Sequence, residues 1–161
     1  MQINQIKSKQ RLILVSFVAS VVLTALKFYA YYLTSSNAIL SDALESIINV
    51  IASGFAFYSI YLSSLPKDRN HPYGHGKIEF FSAGFEGALI VIASIFIFIE
   101  GAKRLLEPAP IENLEQGALF ILVTIFVNFI IGVRLVKLGR ETNSLALTAD
   151  GKHLLSDSVS S

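Results

Sequence analysis

The chain alternates between long apolar blocks and short polar connectors. Four blocks, residues 12–33, 38–65, 80–106 and 117–138, reach the length of about 20 apolar residues that a helix needs to cross a bilayer core. A fifth segment, residues 144–161, carries the same character but stops at Ser161 with no polar exit, so it predicts an incomplete span. The connectors carry turn residues. Thr34-Ser35-Ser36-Asn37 is a tight polar turn, the stretch from Pro66 to Gly76 is rich in Pro, Gly and His, and Glu107-Pro108-Ala109-Pro110 stops the third helix with two prolines. The pattern predicts an all-α, polytopic transmembrane helix bundle forming one transmembrane domain over residues 1–161.

Composition agrees with the pattern. Hydrophobic residues make up 53% of the chain and charged residues 16%, far from the balance of a soluble domain. The formal net charge of +1 hides a segregation in which Lys and Arg sit at block ends, and no nucleic-acid partner is expected. Basic residues cluster at the N-terminus (Lys7, Lys9, Arg11), in the second connector (Lys67, Arg69, Lys77) and in the fourth (Arg134, Lys137, Arg140), whereas the first connector has none. By the positive-inside rule the N-terminus of this multi-pass protein is cytoplasmic; the plasma (inner) membrane is the expected location, which charge placement does not itself determine. The basic N-terminus is not a signal peptide, because the apolar run after it is too long and no small-residue cleavage site follows. Cysteine is absent, so any bound metal is held by oxygen and imidazole nitrogen.

Ionisable side chains inside apolar helices cost several kcal/mol unless they face protein, water or an ion. In the second block, Asp42, Glu45, Ser46 and Asn49 fall within an arc of about 100° at helical geometry. In the fifth, Asp150, His153 and Asp157 fall within about 60°. Pairs at i and i+4 place two donors on one helical face, so Glu45 with Asn49 and His153 with Asp157 can surround one ion tetrahedrally. Two carboxylates neutralise one divalent cation. With an imidazole and an amide oxygen added, the set suits Zn²⁺, Mn²⁺, Fe²⁺ or Co²⁺ better than Ca²⁺ or Mg²⁺. Polar residues also serve as interhelical hydrogen-bond glue, which for Ser46 or Asn49 taken singly is the better account. Asp42 is a further candidate ligand; it and Asp150 sit near helix N-termini, where lining an access path and answering the helix dipole are equally open roles. Glu79 and Glu100 read as interfacial, and Glu86 as a deeper acid that pairs with a cation or lines a wet entrance. Lys27 is a partner for it only if it does not snorkel.

The second connector reads Asp68-Arg69-Asn70-His71-Pro72-Tyr73-Gly74-His75-Gly76-Lys77. Pro72, Gly74 and Gly76 let this segment turn sharply, so that Asp68, His71 and His75 can gather as a second, exposed metal site with one open position. Solvated loop histidines are the plain alternative.

With the stripe from Ser41 to Asn49, the Asp68–Glu79 segment and His153-x-x-x-Asp157 in place, the chain resembles the cation diffusion facilitator family over essentially its whole length. The resemblance implies a homodimeric antiporter that exports a divalent metal, most simply zinc, in exchange for protons, with Fe²⁺, Mn²⁺, Co²⁺ and Cd²⁺ as other candidates. It implies a four-ligand transport site at Glu45, Asn49, His153 and Asp157, and a loop site at Asp68, His71 and His75. Members of the family carry a sixth helix and a cytoplasmic metal-sensing domain, which are expected beyond Ser161, and Lys77 matches a position making charged contacts near the dimer hinge. Where zinc and iron transporters of the family commonly have two aspartates, this chain has Glu45 and Asn49. The fourth donor is therefore either the Asn49 amide oxygen or, in its place, Asp42 or water. His153 argues for zinc over manganese. A metal-dependent membrane enzyme is disfavoured, since no His-Glu-x-x-His motif occurs. A non-transporting metal sensor is the remaining rival.

Overall fold

The computed structural model describes residues 2–34, 37–106 and 114–160, and these form helices joined by one loop and one turn. The helices are α1 (Gln2–Thr34), α2 (Asn37–Ser63), α3 (Ile78–Leu106), α4 (Leu114–Glu141) and α5 (Leu145–Ser160). The all-α bundle expected from the apolar blocks is what the structure shows. Four segments, Gln5–Leu33, Ile39–Ser63, Ile78–Phe96 and Leu122–Glu141, are long and apolar enough to cross a membrane. With 16 residues, α5 rises only about 24 Å at 1.5 Å per residue, short of a hydrocarbon core of about 30 Å.

The largest departure from the expected boundaries is at the start. Helix α1 begins at Gln2, well before the apolar block, and carries Lys7, Lys9 and Arg11 in its first turns. Lys9 there reaches Glu79 at the head of α3, Nζ to Oε1 3.6 Å. Helix α1 ends at Thr34 and α2 begins at Asn37, and Ser35 and Ser36 of the predicted turn fall outside the described residues. So do the predicted proline stop at Glu107–Pro110 and the side chain of Glu100.

Packing is inverted relative to a water-soluble bundle. Val15, Val18, Val22, Phe80, Phe81, Phe96, Phe98 and Phe126 face outward, whereas Ser16, Ser20, Lys27, Ser46, Ser53, Glu86, Asn128, Asp150 and His153 are buried. Lipid solvates the first set at no cost, while the second must find partners inside. An apolar cluster of Ile13, Ala56, Ile60, Leu135, Ala146, Leu147 and Leu154 closes the end at which α1 and α5 begin and α2 and α4 finish.

The α4–α5 hairpin sets the position of the buried polar residues on α5. Asn143 adopts the left-handed conformation (φ 50°). The Ser144 N–H bonds the Gly139 carbonyl at 2.8 Å and the Asn143 N–H bonds that of Arg140 at 3.4 Å, which together make a Schellman ending to α4. Beyond the turn the two helices run with their backbones nearly touching. A Cβ at Gly151 would lie 2.8 Å from the Val136 backbone nitrogen and 2.9 Å from the Gly132 oxygen, so only glycine permits this approach.

Candidate metal centres

Two groups of metal-ligating side chains are assembled, one within the bundle and one in the α2–α3 loop. In the first, one turn of α5 offers His153 and Asp157 on a single face, their Nε2 and Oδ2 atoms 3.8 Å apart. Asn49 of α2 bridges them. Its Nδ2 donates to Asp157 Oδ2 at 2.6 Å, and its Oδ1 lies 2.9 Å from His153 Nε2. An amide oxygen only accepts, so the imidazole carries its proton on Nε2. Its lone pair is then on Nδ1, which is buried and has no hydrogen-bond partner. Glu45, one turn before Asn49, is half-buried and lies in the electrostatic field of Asp157, Asp42, Lys27 and His153. Three of the four residues expected from the i, i+4 spacing, Asn49, His153 and Asp157, are thus in contact, with the Asn49 amide at the centre, and Glu45 lies one turn away along α2.

Asp42 is held by a cation. Lys27 of α1 does not snorkel: it is buried, and its Nζ donates to Asp42 Oδ1 at 2.8 Å and to Ser46 Oγ at 2.7 Å. Although it does not snorkel, Lys27 is not the partner of Glu86, because Lys27 lies near the far end of α1 while Glu86 lies near the start of α3. Beside it, Ser20, Thr24, Lys27, Ser46, Asn49 and Asn128 line a cavity of about 10 Å³, the size of one water molecule. Asp150 is fully buried and accepts a hydrogen bond from Ser16 Oγ at 2.7 Å. It sits a full turn inside α5 and does not cap it; Ser144 occupies the capping position, and its hydroxyl donates to Glu79 Oε2. Glu79 also accepts from Ser63 Oγ at 2.8 Å, so this acid ties α1, α2, α3 and the α5 turn together rather than standing free at the interface.

The loop group is the tighter of the two. Asp68, His71 and His75 each place a ligand atom within 4.8 Å of the others, the one cluster of three or more His, Asp or Glu to do so among the described residues. His71 Nδ1 is 3.0 Å and His75 Nε2 3.5 Å from the two oxygens of Asp68, and the imidazoles lie 4.3 Å apart between centroids. The backbone builds this. Asp68 Oδ1 accepts from the N–H groups of Asn70 at 2.9 Å and His71 at 2.6 Å, and Gly74 turns the chain at φ 86°, where a side chain would be strained. The His71 N–H, above all, holds the Asp68 carboxyl below its ordinary range.

The sequence reading missed a stripe on α1. Ser16, Ser20, Thr24 and Lys27 recur at i, i+4, i+8 and i+11, a helical spacing that marks one polar face, and each of them touches or lines the polar interior. Thr124 and Asn128 on α4 repeat the i, i+4 signal, and both are buried.

The family model described as the cation efflux transmembrane domain matches residues 13–161. An uncharacterized transporter of Synechocystis sp. is 38% identical over 139 residues, which is 86% of this chain and 45% of that protein. The cation-efflux pump FieF of Shewanella oneidensis is 30% identical over 88% of this chain and 48% of its own length. The magnetosome protein MamB of Magnetospirillum gryphiswaldense is 30% identical over 91% of this chain and 49% of its own. The chain spans about half the length of the curated relatives it matches. On its helices, its polar interior and these matches, the chain is an integral membrane protein that belongs to the cation efflux, or cation diffusion facilitator, family.

Proposed function

We propose that the protein containing this chain exports a divalent metal cation, zinc foremost, from the cytoplasm in exchange for protons, as a homodimer in the plasma (inner) membrane with its N-terminus cytoplasmic. The observation that carries this reading is the meeting of Asn49, His153 and Asp157 inside the bundle, with Glu45 beside them. Two carboxylates and one imidazole would make an occupied site formally neutral at membrane depth. Only the neutral imidazole binds metal, so a proton and a metal ion exclude each other at His153. Asn49 acts as a latch in this scheme. Its amide pins His153 and Asp157 to α2, and an incoming ion replaces both hydrogen bonds with ligand bonds to the side chains they released. The loop cluster of Asp68, His71 and His75 serves as an exchangeable cytoplasmic site, since two of its three members are exposed.

The test is zinc-driven proton flux in vesicles reconstituted with the full-length protein. Wild type exchanges the two ions, and His153→Ala abolishes exchange while the protein remains folded. Normal exchange by that variant refutes the role given to His153. Zinc binding without any flux in the wild type would favour a sensor.

A further inference from the structure

Helices α1, α3 and α5 converge on a group of side chains that the transport set does not use. Ser16, Glu86 and Asp150 are each fully enclosed, with 0% exposure. Ser16 Oγ donates to Asp150 Oδ2 at 2.7 Å. The other Asp150 oxygen and both oxygens of Glu86 have no hydrogen-bond partner. Glu79 at the head of α3 meets Ser144 at the head of α5, and the two helices pack against each other; Glu86 lies seven residues beyond Glu79 and Asp150 six beyond Ser144, so the two enclosed acids stand within about 2 Å of the same height along the pair. Interhelical glue does not account for Glu86, because glue makes hydrogen bonds and Glu86 makes none.

Charge is the decisive quantity. An enclosed carboxylate costs several kcal/mol unless it is paired, and here two of them are answered by a single hydroxyl and by the field of His153 on Asp150. The nearby ammonium groups are engaged elsewhere, Lys27 on Asp42 and Ser46, and Lys9 on Glu79. Among the described residues, no Lys or Arg acts on Glu86. One divalent cation would neutralise both acids at once. The free oxygens supply three ligand atoms, and Ser16 Oγ, which still has lone pairs, supplies a fourth.

We infer that Glu86, Asp150 and Ser16 form a second cation site inside the bundle, an all-oxygen pocket for a divalent metal lying one helical turn before His153. Asp150 and His153 share a face of α5 and differ by about 4.5 Å along its axis. An ion held by Glu86 and Asp150 therefore lies beside the transport set, on the side where α5 begins. Lacking imidazole, the pocket is harder than the transport set and takes Mn²⁺ or Fe²⁺ at least as readily as zinc. This inference rests on the proposed function only in supposing that a divalent cation enters the bundle.

Mn²⁺ is the probe, measured as ions bound per chain by equilibrium dialysis with electron paramagnetic resonance of the free ion, on full-length protein in nanodiscs. The background variant carries Asp68→Ala and His75→Ala, which disable the loop cluster, and His153→Ala and Asp157→Ala, which disable the transport set. That variant is expected to bind one Mn²⁺ per chain more than the same variant carrying Glu86→Gln, a difference that any metal bound beyond Ser161 leaves unchanged. Adding Glu86→Gln, equal in size but uncharged, should weaken binding at least tenfold, whereas Glu86→Asp, which keeps the charge, should retain the ion with reduced affinity. Binding unaffected by Glu86→Gln overturns the site. Absence of Mn²⁺ from the background variant also overturns it, and would mean that the acids are answered by protons alone. Failure of the proposed function shows separately, as zinc binding in the wild type that does not depend on His153.

Discussion

Replacing Asn49 with aspartate converts the latch into a repulsive contact, and the size of the effect follows from the observed geometry. Asn49 Nδ2 donates to Asp157 Oδ2 at 2.6 Å. In Asn49→Asp a carboxylate oxygen takes the place of that donor. Two unit charges at 2.6 Å repel by on the order of 6 kcal/mol at an effective dielectric constant of about 20. Rotation of the two side chains relieves most of this, but the charge-assisted hydrogen bond is lost outright, at about 1.5–3 kcal/mol. Both penalties fall on the metal-free protein. The metal-bound form gains an anionic ligand in exchange for a neutral one, so the variant should bind zinc roughly 10- to 100-fold more tightly. Calorimetric titration of full-length protein in nanodiscs, with Asp68→Ala and His75→Ala removing the loop cluster, reads that change directly. An unchanged or larger dissociation constant would refute the latch, because it would mean that the Asn49 bridge does not compete with the ion.

Further outcomes are open to measurement. Gly151→Ala places a Cβ 2.8 Å from the Val136 nitrogen and side chain and should lower stability by about 1–3 kcal/mol in thermal unfolding, whereas Gly84→Ala, which meets nothing within 4 Å, should be neutral or slightly stabilising. Lys27→Met strands the Asp42 carboxylate, while the Ser46 hydroxyl keeps its bond to the Asp42 carbonyl, at a cost of roughly 1–3 kcal/mol, and the double change with Asp42→Asn should recover much of that loss; no recovery would separate the two residues energetically. Because the Asp68 carboxyl is lowered mainly by the His71 N–H, its carbon resonance should titrate below the ordinary value of about 3.9. The folded loop it supports should accordingly be fully formed above that value and lost only as pH falls through the lowered one. A titration midpoint at or above the ordinary value contradicts the hydrogen-bond arrangement.

Much of this was readable from residue spacing, and the remainder was hidden for a physical reason. Apolar length placed α1 to α4 within a few residues at most ends, and the i, i+4 pairs on α2 and α5 identified Asn49, His153 and Asp157 before their contacts were seen. The loop histidines were likewise legible, since Pro72, Gly74 and Gly76 permit the sharp turn that gathers them. Partner choice was not. Lys27 could have reached either end of the bundle by sequence, and only the antiparallel packing of α1 on α2 gives it to Asp42. Glu79 looked interfacial because its position along α3 says nothing of Ser63 and Ser144, which approach it from other helices. The role of Asn49 as a bridge was equally hidden, because spacing reports which face a side chain occupies and not which neighbour it bonds.

The glycine seam between α4 and α5 has a mechanical consequence. Backbones in contact at Gly132 and Gly151, joined by the short turn through Asn143, leave these two helices no freedom to slide, so they translate as one lever. Helices α1 and α2, pinned together by Lys27, Asp42 and Ser46, form the opposing arm. His153 and Asp157 ride on the lever, whereas Glu45 and Asn49 ride on the arm. Any rocking between the two leaves the spacing within each pair intact and changes every distance between lever and arm, so the proposed donor set is a clasp whose two jaws belong to different rigid parts.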